Sequence, residues 1–256
     1  MMQRTWKHAV ALAAGVASLA ACGGKDAGGD KAGQAAPGAA QTADAGTLTG
    51  AGATFPYPVY SKWFDAYGKD HGLKVNYQSI GSGGGIQQVT QHTVDFGASD
   101  APMNAAEQAK APGILHLPTV LGSIAVTYNL PGLSQPLHLS GGTLAGLFLG
   151  TITRWNDPAI AAENPGVALP ATNVVVAHRS DGSGTTFVVT DYLAQVSPAW
   201  KTRVGNGKSV NWPGGLGAKG NEGVTGAIKQ TPGSLGYVEL AYATQNQLPA
   251  AALRNA

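Results

Sequence analysis

Past residue 47 the chain alternates between two hydrophobic periods. Leu48 opens a short extended piece that runs into Gly50-Ala-Gly-Ala-Thr54, and Pro56 to Tyr67 then places Tyr60, Trp63, Phe64 and Tyr67 on one helical face. Leu73, Val75 and Tyr77 alternate with Lys74 and Asn76 as a half-buried strand does. A Gly-Ser-Gly-Gly-Gly run at 81–85 leads to a short helix through Ile86 and Val89, and Val94 to Ala98 is the next strand. Asn104 and Glu107 have capping-box spacing for another helix. Further on, the pattern predicts a strand over 118–128, a helix around 144–149 and a turn at Trp155-Asn-Asp-Pro158. A strand at 174–178 then leads through Arg179-Ser-Asp-Gly-Ser-Gly-Thr185 into a helix carrying Phe187, Tyr192 and Leu193. Ser197-Pro198 reads as an N-cap followed by proline at the first helical position. A Gly-rich loop (212–220), a helix to Lys229 and a last strand over 235–242 complete the reading. Strands alternating with helices predict an α/β protein with mixed, mostly parallel sheets.

The first fifty residues follow a different pattern. A positively charged start, Met1 to His8, precedes an apolar run from Ala9 to Ala21 that ends in Leu-Ala-Ala-Cys22. The run suits a signal peptide better than a membrane span, and its end has the form of a bacterial lipobox. Residues 1–22 are therefore expected to be a lipoprotein signal peptide, with lipid carried by Cys22, the single cysteine of the chain. Residues 23–46 lack large apolar side chains and are expected to be a flexible linker. The expected location is a bacterial membrane surface, on the periplasmic or outer side, with the protein held there by its lipid.

Charge narrows the function. Charged residues are 12% of the chain and the net charge is +2, which gives no basic stripe for nucleic acid. His71, His92, His116 and His138 are scattered without metal-ligand spacing, so neither metal nor cofactor is expected. Three loops share one design, in which a strand ends, small residues follow and a helix begins: 52–55, 81–84 and 179–185. Helix N-termini offer free N–H groups and the positive end of the helix dipole. Thr54, Ser82, Ser183 and Thr185 add hydroxyls, Arg179 adds a planar cation, and Asp181 stands ready to hold it. Asp100, at a strand end, is the odd member. Read alone it serves equally well as a helix N-cap, but beside an anion site it would select a ligand that brings a proton.

In this order and spacing, Leu48-Thr-Gly-Ala-Gly-Ala-Thr-Phe-Pro56, Val75-Asn-Tyr-Gln-Ser-Ile-Gly-Ser-Gly-Gly84 and Thr93-Val-Asp-Phe-Gly-Ala-Ser-Asp-Ala-Pro102 resemble the phosphate-specific periplasmic binding proteins of bacterial ABC transporters. Arg179-x-Asp-Gly-Ser-Gly-Thr185 and Gly233-Ser-Leu-Gly-Tyr-Val238 continue the resemblance, which covers residues 48 to 247. It implies a class II binding-protein fold with two lobes and an interdomain ligand cleft. The first lobe would span 47–118, with 244–256 returning to it, and the second 119–243. Inorganic phosphate would contact Thr54 and Phe55 through backbone, and Ser82, Asp100, Arg179, Asp181, Ser183, Gly184 and Thr185. The implied partner is the membrane permease of a phosphate importer, and no catalysis is implied.

The family's chain continues with a substantial segment after its return to the first lobe, whereas this sequence stops at Ala256. The first lobe is therefore expected to be incomplete, with Leu73, Val75, Tyr77, Ile80 and Phe96 less buried than Val174 to Val176 and Val238. The alternative function is a hydrolase-like or signalling lipoprotein on the same fold that delivers no phosphate. Ser183 lies between two glycines, but Asp181 occupies the first glycine position of a Gly-x-Ser-x-Gly elbow, and His178 precedes the loop on a strand.

Overall fold

The computed structural model describes residues 46–254, so the expected signal peptide, Cys22 and nearly all of the linker lie outside the described residues. The chain runs β1 (Thr47–Gly52), α1 (Tyr57–His71), β2 (Lys74–Ser79), α2 (Ser82–Thr90), β3 (Phe96–Ala98) and α3 (Ala105–Ala109). It continues through β4 (Ile124–Tyr128), β5 (His138–Leu139), α4 (Gly141–Leu149), α5 (Pro158–Glu163), β6 (Val175–Arg179) and α6 (Gly184–Val196). The remaining elements are α7 (Pro198–Arg203), β7 (Leu216–Ala218), α8 (Gly220–Gln230), β8 (Ser234–Glu239), α9 (Leu240–Gln245) and β9 (Ala252–Leu253).

Local chemistry sets these boundaries. Pro58 in the first turn of α1 and left-handed Gly72 behind it (φ 72°) bracket that helix. Asn104 and Glu107 form both bonds of the capping box that starts α3. The side chains of Ser140, Asp157, Ser183 and Ser197 each accept a backbone N–H at the start of α4, α5, α6 and α7. Every residue of α4 except Gly142 is buried, as its unbroken apolar sequence requires.

Two main sheets result. The first has the order β2-β1-β3 and is parallel throughout, with Leu48 opposite Val75 and Gly50 opposite Phe96. The second has the order β4-β8-β6-β7, in which only β4 runs antiparallel. The large core belongs to the second sheet, where Leu144, Phe148, Trp155, Trp200, Leu235 and Tyr237 pack together, all fully buried. The first sheet has a much smaller core of Ala53, Tyr60 and Ala98, with Phe55, Phe64 and Tyr77 packed partly against it.

The structure corrects several expectations. The strand expected over 118–128 forms only from Ile124, where β8 supplies a partner; 118–123 is irregular. The expected last strand stops at Glu239, whose side chain accepts Ala241 N–H and starts α9. The Gly-rich loop contains β7, which pairs with β6. Of the segment expected to return, 244–254 do not reach the first sheet: β9 pairs with β5, Ala250 bridges Thr127, and Ala251 N–H donates to Val126 (2.8 Å). Leu248, Ala251 and Leu253 there cover apolar residues of the second sheet, which is where burial is available.

Burial follows the expected direction. Leu73, Val75, Tyr77, Ile80 and Phe96 are all half-buried, whereas Val176 and Val238 are buried and Val174 and Val175 are half-buried. A trough of ≈ 1090 Å³ lies between the first sheet and α6, with Ile86, Phe96, Leu117, Val188 and the fully exposed Leu121 among its lining.

Candidate functional site

The parallel strands of both sheets deliver their carboxyl ends to one cleft, the usual ligand position in open α/β sheets. β1 leads to Thr54, β2 to Ser82 at the start of α2, and β3 to Asp100. From the second sheet, β6 ends on Arg179 and leads to α6 at Gly184, while β7 leads to α8 at Gly220. Three helix N-termini, those of α2, α6 and α8, thus converge with their positive dipole ends.

The groups from the two sheets meet directly. Gly83 N–H donates to Gly182 O (2.8 Å), Gly184 N–H to Ser82 Oγ (3.0 Å), and Thr185 Oγ1 to Asp100 Oδ2 (3.0 Å). Such closeness needs glycine. A Cβ on Gly184 would stand 2.6 Å from Asp100 Cβ, and one on Gly81 would stand 2.2 Å from Asp181 Oδ2. On Gly83 or Gly182 it would come within 3.1 Å of the other's Cα.

Electrostatics here are arranged in pairs. Arg179, 3% exposed, donates Nε to Asp181 Oδ1 (2.7 Å) and Nη2 to Asp181 Oδ2, a planar two-point pair. Gly220 N–H also reaches Asp181 Oδ1 (3.1 Å). Burial pushes the Asp181 carboxyl up, but Arg179 and Gly220 outweigh it and hold the group below the usual carboxylate range. Asp100 goes the other way. Burial lifts it to about 6, only partly opposed by the Thr185 hydroxyl and the charge of Arg179. The site therefore holds a cation already neutralised by one carboxylate, and a second carboxylate that resists ionisation among N–H and O–H donors.

Of the expected site residues, the structure joins Ser82, Asp100, Gly184 and Thr185 into one hydrogen-bonded cluster and sets Arg179 and Asp181 beside it. The Ser183 hydroxyl caps α6 by accepting Thr186 N–H (3.0 Å). Thr54 is buried, with its Oγ1 bonded to Asn221 and its carbonyl to Tyr242 Oη (2.6 Å). Phe55 is half-buried and leans on Gly122. Sequence reasoning missed Asn221, Tyr242 and Lys208. Lys208 Nζ bonds Glu107 Oε2 across the cleft (2.7 Å), and its carbonyl accepts Ser183 N–H (2.8 Å). The one available signal for Asn221 was Lys219-Gly220-Asn221 ahead of a helix, with Gly220 at φ 73°. Among the described residues no group of His, Cys, Asp or Glu converges for a metal.

Two α/β sheets closing on a cleft of helix N-termini give the architecture of the periplasmic binding-protein class. The profile of the PBP superfamily domain matches residues 37–255. The phosphate-binding protein PstS of Pasteurella multocida is 55% identical over 217 residues, covering 84% of this chain and 63% of that protein. The phosphate-binding protein PstS 3 of Mycobacterium leprae is 38% identical over 248 residues, covering 94% of this chain and 67% of its own. A crystal structure of a phosphate ABC transporter substrate-binding protein from Clostridium perfringens has the same fold, with a TM-score of 0.65 at 16% identity, covering 81% of this chain and 75% of that one. The chain belongs to the PBP superfamily and, within it, to the family of the PstS proteins. It spans less than two thirds of the length of the Pasteurella relative.

Proposed function

We propose that this chain binds inorganic phosphate in the cleft between its two sheets and delivers it to the permease of an ABC importer. The observation that carries the proposal is Asp100, a buried acceptor within a cluster of donors. An ordinary anion site has no use for such a group. Monohydrogen phosphate does, because it presents one O–H alongside ionised oxygens, while sulfate at neutral pH presents none. Backbone N–H groups of the 54–55 and 82 loops, the hydroxyl proton of Ser82 and the remaining donors of Arg179 serve the ionised oxygens, while Ser183 N–H and the Thr185 hydroxyl are held by the Lys208 carbonyl and Asp100. Asp181 aims Arg179.

The chain is a receptor, not an enzyme. Ser183 Oγ is committed to its helix, and the His178 ring stacks on Trp212 at 4.8 Å with Nδ1 against the Arg179 carbonyl. Neither geometry provides a nucleophile with its base. We place the protein outside the cytoplasmic membrane, anchored through lipid on Cys22, with a first lobe over 47–118 and a second over 119–243. Calorimetric titration with phosphate and with sulfate at pH 7.5 tests the reading. Binding of phosphate alone is expected, and equal binding of both anions would remove the role given to Asp100.

A further inference from the structure

Asn221, at the start of α8, is wholly buried. Its backbone N–H and its Nδ2 both donate to Thr54 Oγ1, at 3.1 and 2.7 Å. Its Oδ1 accepts Glu239 N–H at 2.9 Å. That third bond fixes which way the amide faces, since the flipped form would set two donors against each other. A threonine hydroxyl has two lone pairs and one proton. With both lone pairs taken by Asn221, only the proton remains to be given, and among the described residues no acceptor takes it. The Tyr242 bond to the Thr54 carbonyl holds the same residue from its other side.

We infer that Asn221 is a positioning residue that makes Thr54 an obligate hydrogen-bond donor to the bound anion. This rests on the phosphate reading above and deepens it. Asp100 accepts from the one oxygen that carries a proton, and Thr54, its lone pairs taken, can only donate, which favours an ionised oxygen. The two groups together orient a monoprotonated tetrahedral anion. Because Thr54 lies in the first loop and Asn221 starts α8 of the second sheet, the donor is set only when the two sides are together.

The test is a double-mutant cycle on the full chain, read by calorimetry with inorganic phosphate. In Asn221→Asp the new carboxylate takes the Thr54 proton, so the hydroxyl turns away from the anion. Phosphate affinity should fall on the order of tenfold, the usual size of one lost charge-assisted hydrogen bond. In a Thr54→Val background there is no proton to turn, so Asn221→Asp should cost at least about threefold less than it does with the hydroxyl present, only the repulsion between the new carboxylate and the anion remaining. Thr54→Ser, which keeps the hydroxyl, should stay within about threefold of wild type and keep the sensitivity to Asn221→Asp. Equal losses from Asn221→Asp with and without the hydroxyl, or no loss in either, overturn the inference. If thermal melting shows Asn221→Asp unfolded, Asn221→Ala completes the same cycle, with a smaller loss expected and the same criterion. Absence of phosphate binding by the wild-type chain is a separate outcome and sinks the underlying reading instead.

Discussion

Asp100→Asn gives a prediction with two signs to check. The Asp100 carboxyl rises from 3.8 to about 6 on folding because burial disfavours its charge. The folded state therefore holds this proton more tightly than the unfolded chain, and stability falls as pH rises from about 4 to about 6. Above that window the cost is fully present. At about 1.4 kcal/mol per unit it comes to about 3 kcal/mol. Asparagine is near in shape, keeps an acceptor for Thr185 Oγ1, and carries no charge to bury. In phosphate-free buffer at pH 7.5, Asp100→Asn should melt ~6–12 °C above wild type for a protein of this size, and at pH 4 the two should melt nearly together. Ligand selectivity should move with the same proton. Below pH 6 the wild-type carboxyl becomes a donor, so sulfate binding should appear as pH is lowered, whereas Asp100→Asn should bind sulfate at both pH values. Scanning calorimetry and anion titration over pH 4–8 cover both halves. A variant no more stable than wild type at pH 7.5 would refute the burial argument, and sulfate binding indifferent to pH would refute the proton-reading one.

Other expectations are simpler. Arg179→Ala leaves Asp181 buried without its partner and should weaken phosphate binding by about 2–5 kcal/mol in calorimetry, while Arg179→Lys restores only part because one point charge replaces a fork. Glu107→Gln keeps an oxygen for the Asn104 cap but removes the charge facing Lys208; affinity should fall by about 1 kcal/mol or less, and the variant should lose salt sensitivity that wild type shows between low and high ionic strength. Membrane fractionation checks Cys22→Ser, which should be found unprocessed or released from the membrane; retention of a processed, membrane-bound form would exclude lipid on this residue.

Elements whose logic is local were legible in the sequence. The Asn104/Glu107 capping box, the Ser197-Pro198 start and the alternating strand read over 73–77, found as β2 at Lys74–Ser79, depend on neighbours a few residues away, and each forms. Elements whose logic is distant were not. Thr119, Val120 and Leu121 look as strand-like as residues 124–128, yet only the latter find β8 beside them. Leu240-Ala-Tyr242 reads in the sequence as the end of a strand, and the Glu239 cap makes it the start of a helix. β7 is three residues that pair only because β6 is adjacent. Of the site, the loops with glycine, hydroxyl and arginine were readable from residue type. Asn221 was not, since its meaning lies in a contact with Thr54, 167 positions away.

The glycine contacts between Gly83 and Gly182, and between Gly184 and Asp100, make the closed cleft a fixed gauge. Where side chains line a contact, rotamers let the gap widen or narrow to suit what lies within. Here main chain rests on main chain at Gly83 and Gly182, and main chain rests on the short side chains of Asp100 and Ser82 at Gly184, and neither contact can shrink. The separation of the two walls at closure is set by covalent geometry, so an oxyanion is measured against a rigid caliper as well as probed for its proton. The same rigidity makes the caliper easy to jam. A single added methyl at Gly184 or Gly83 acts as a wedge between the walls, able to hold the receptor ajar while every group that would touch the ion remains in place.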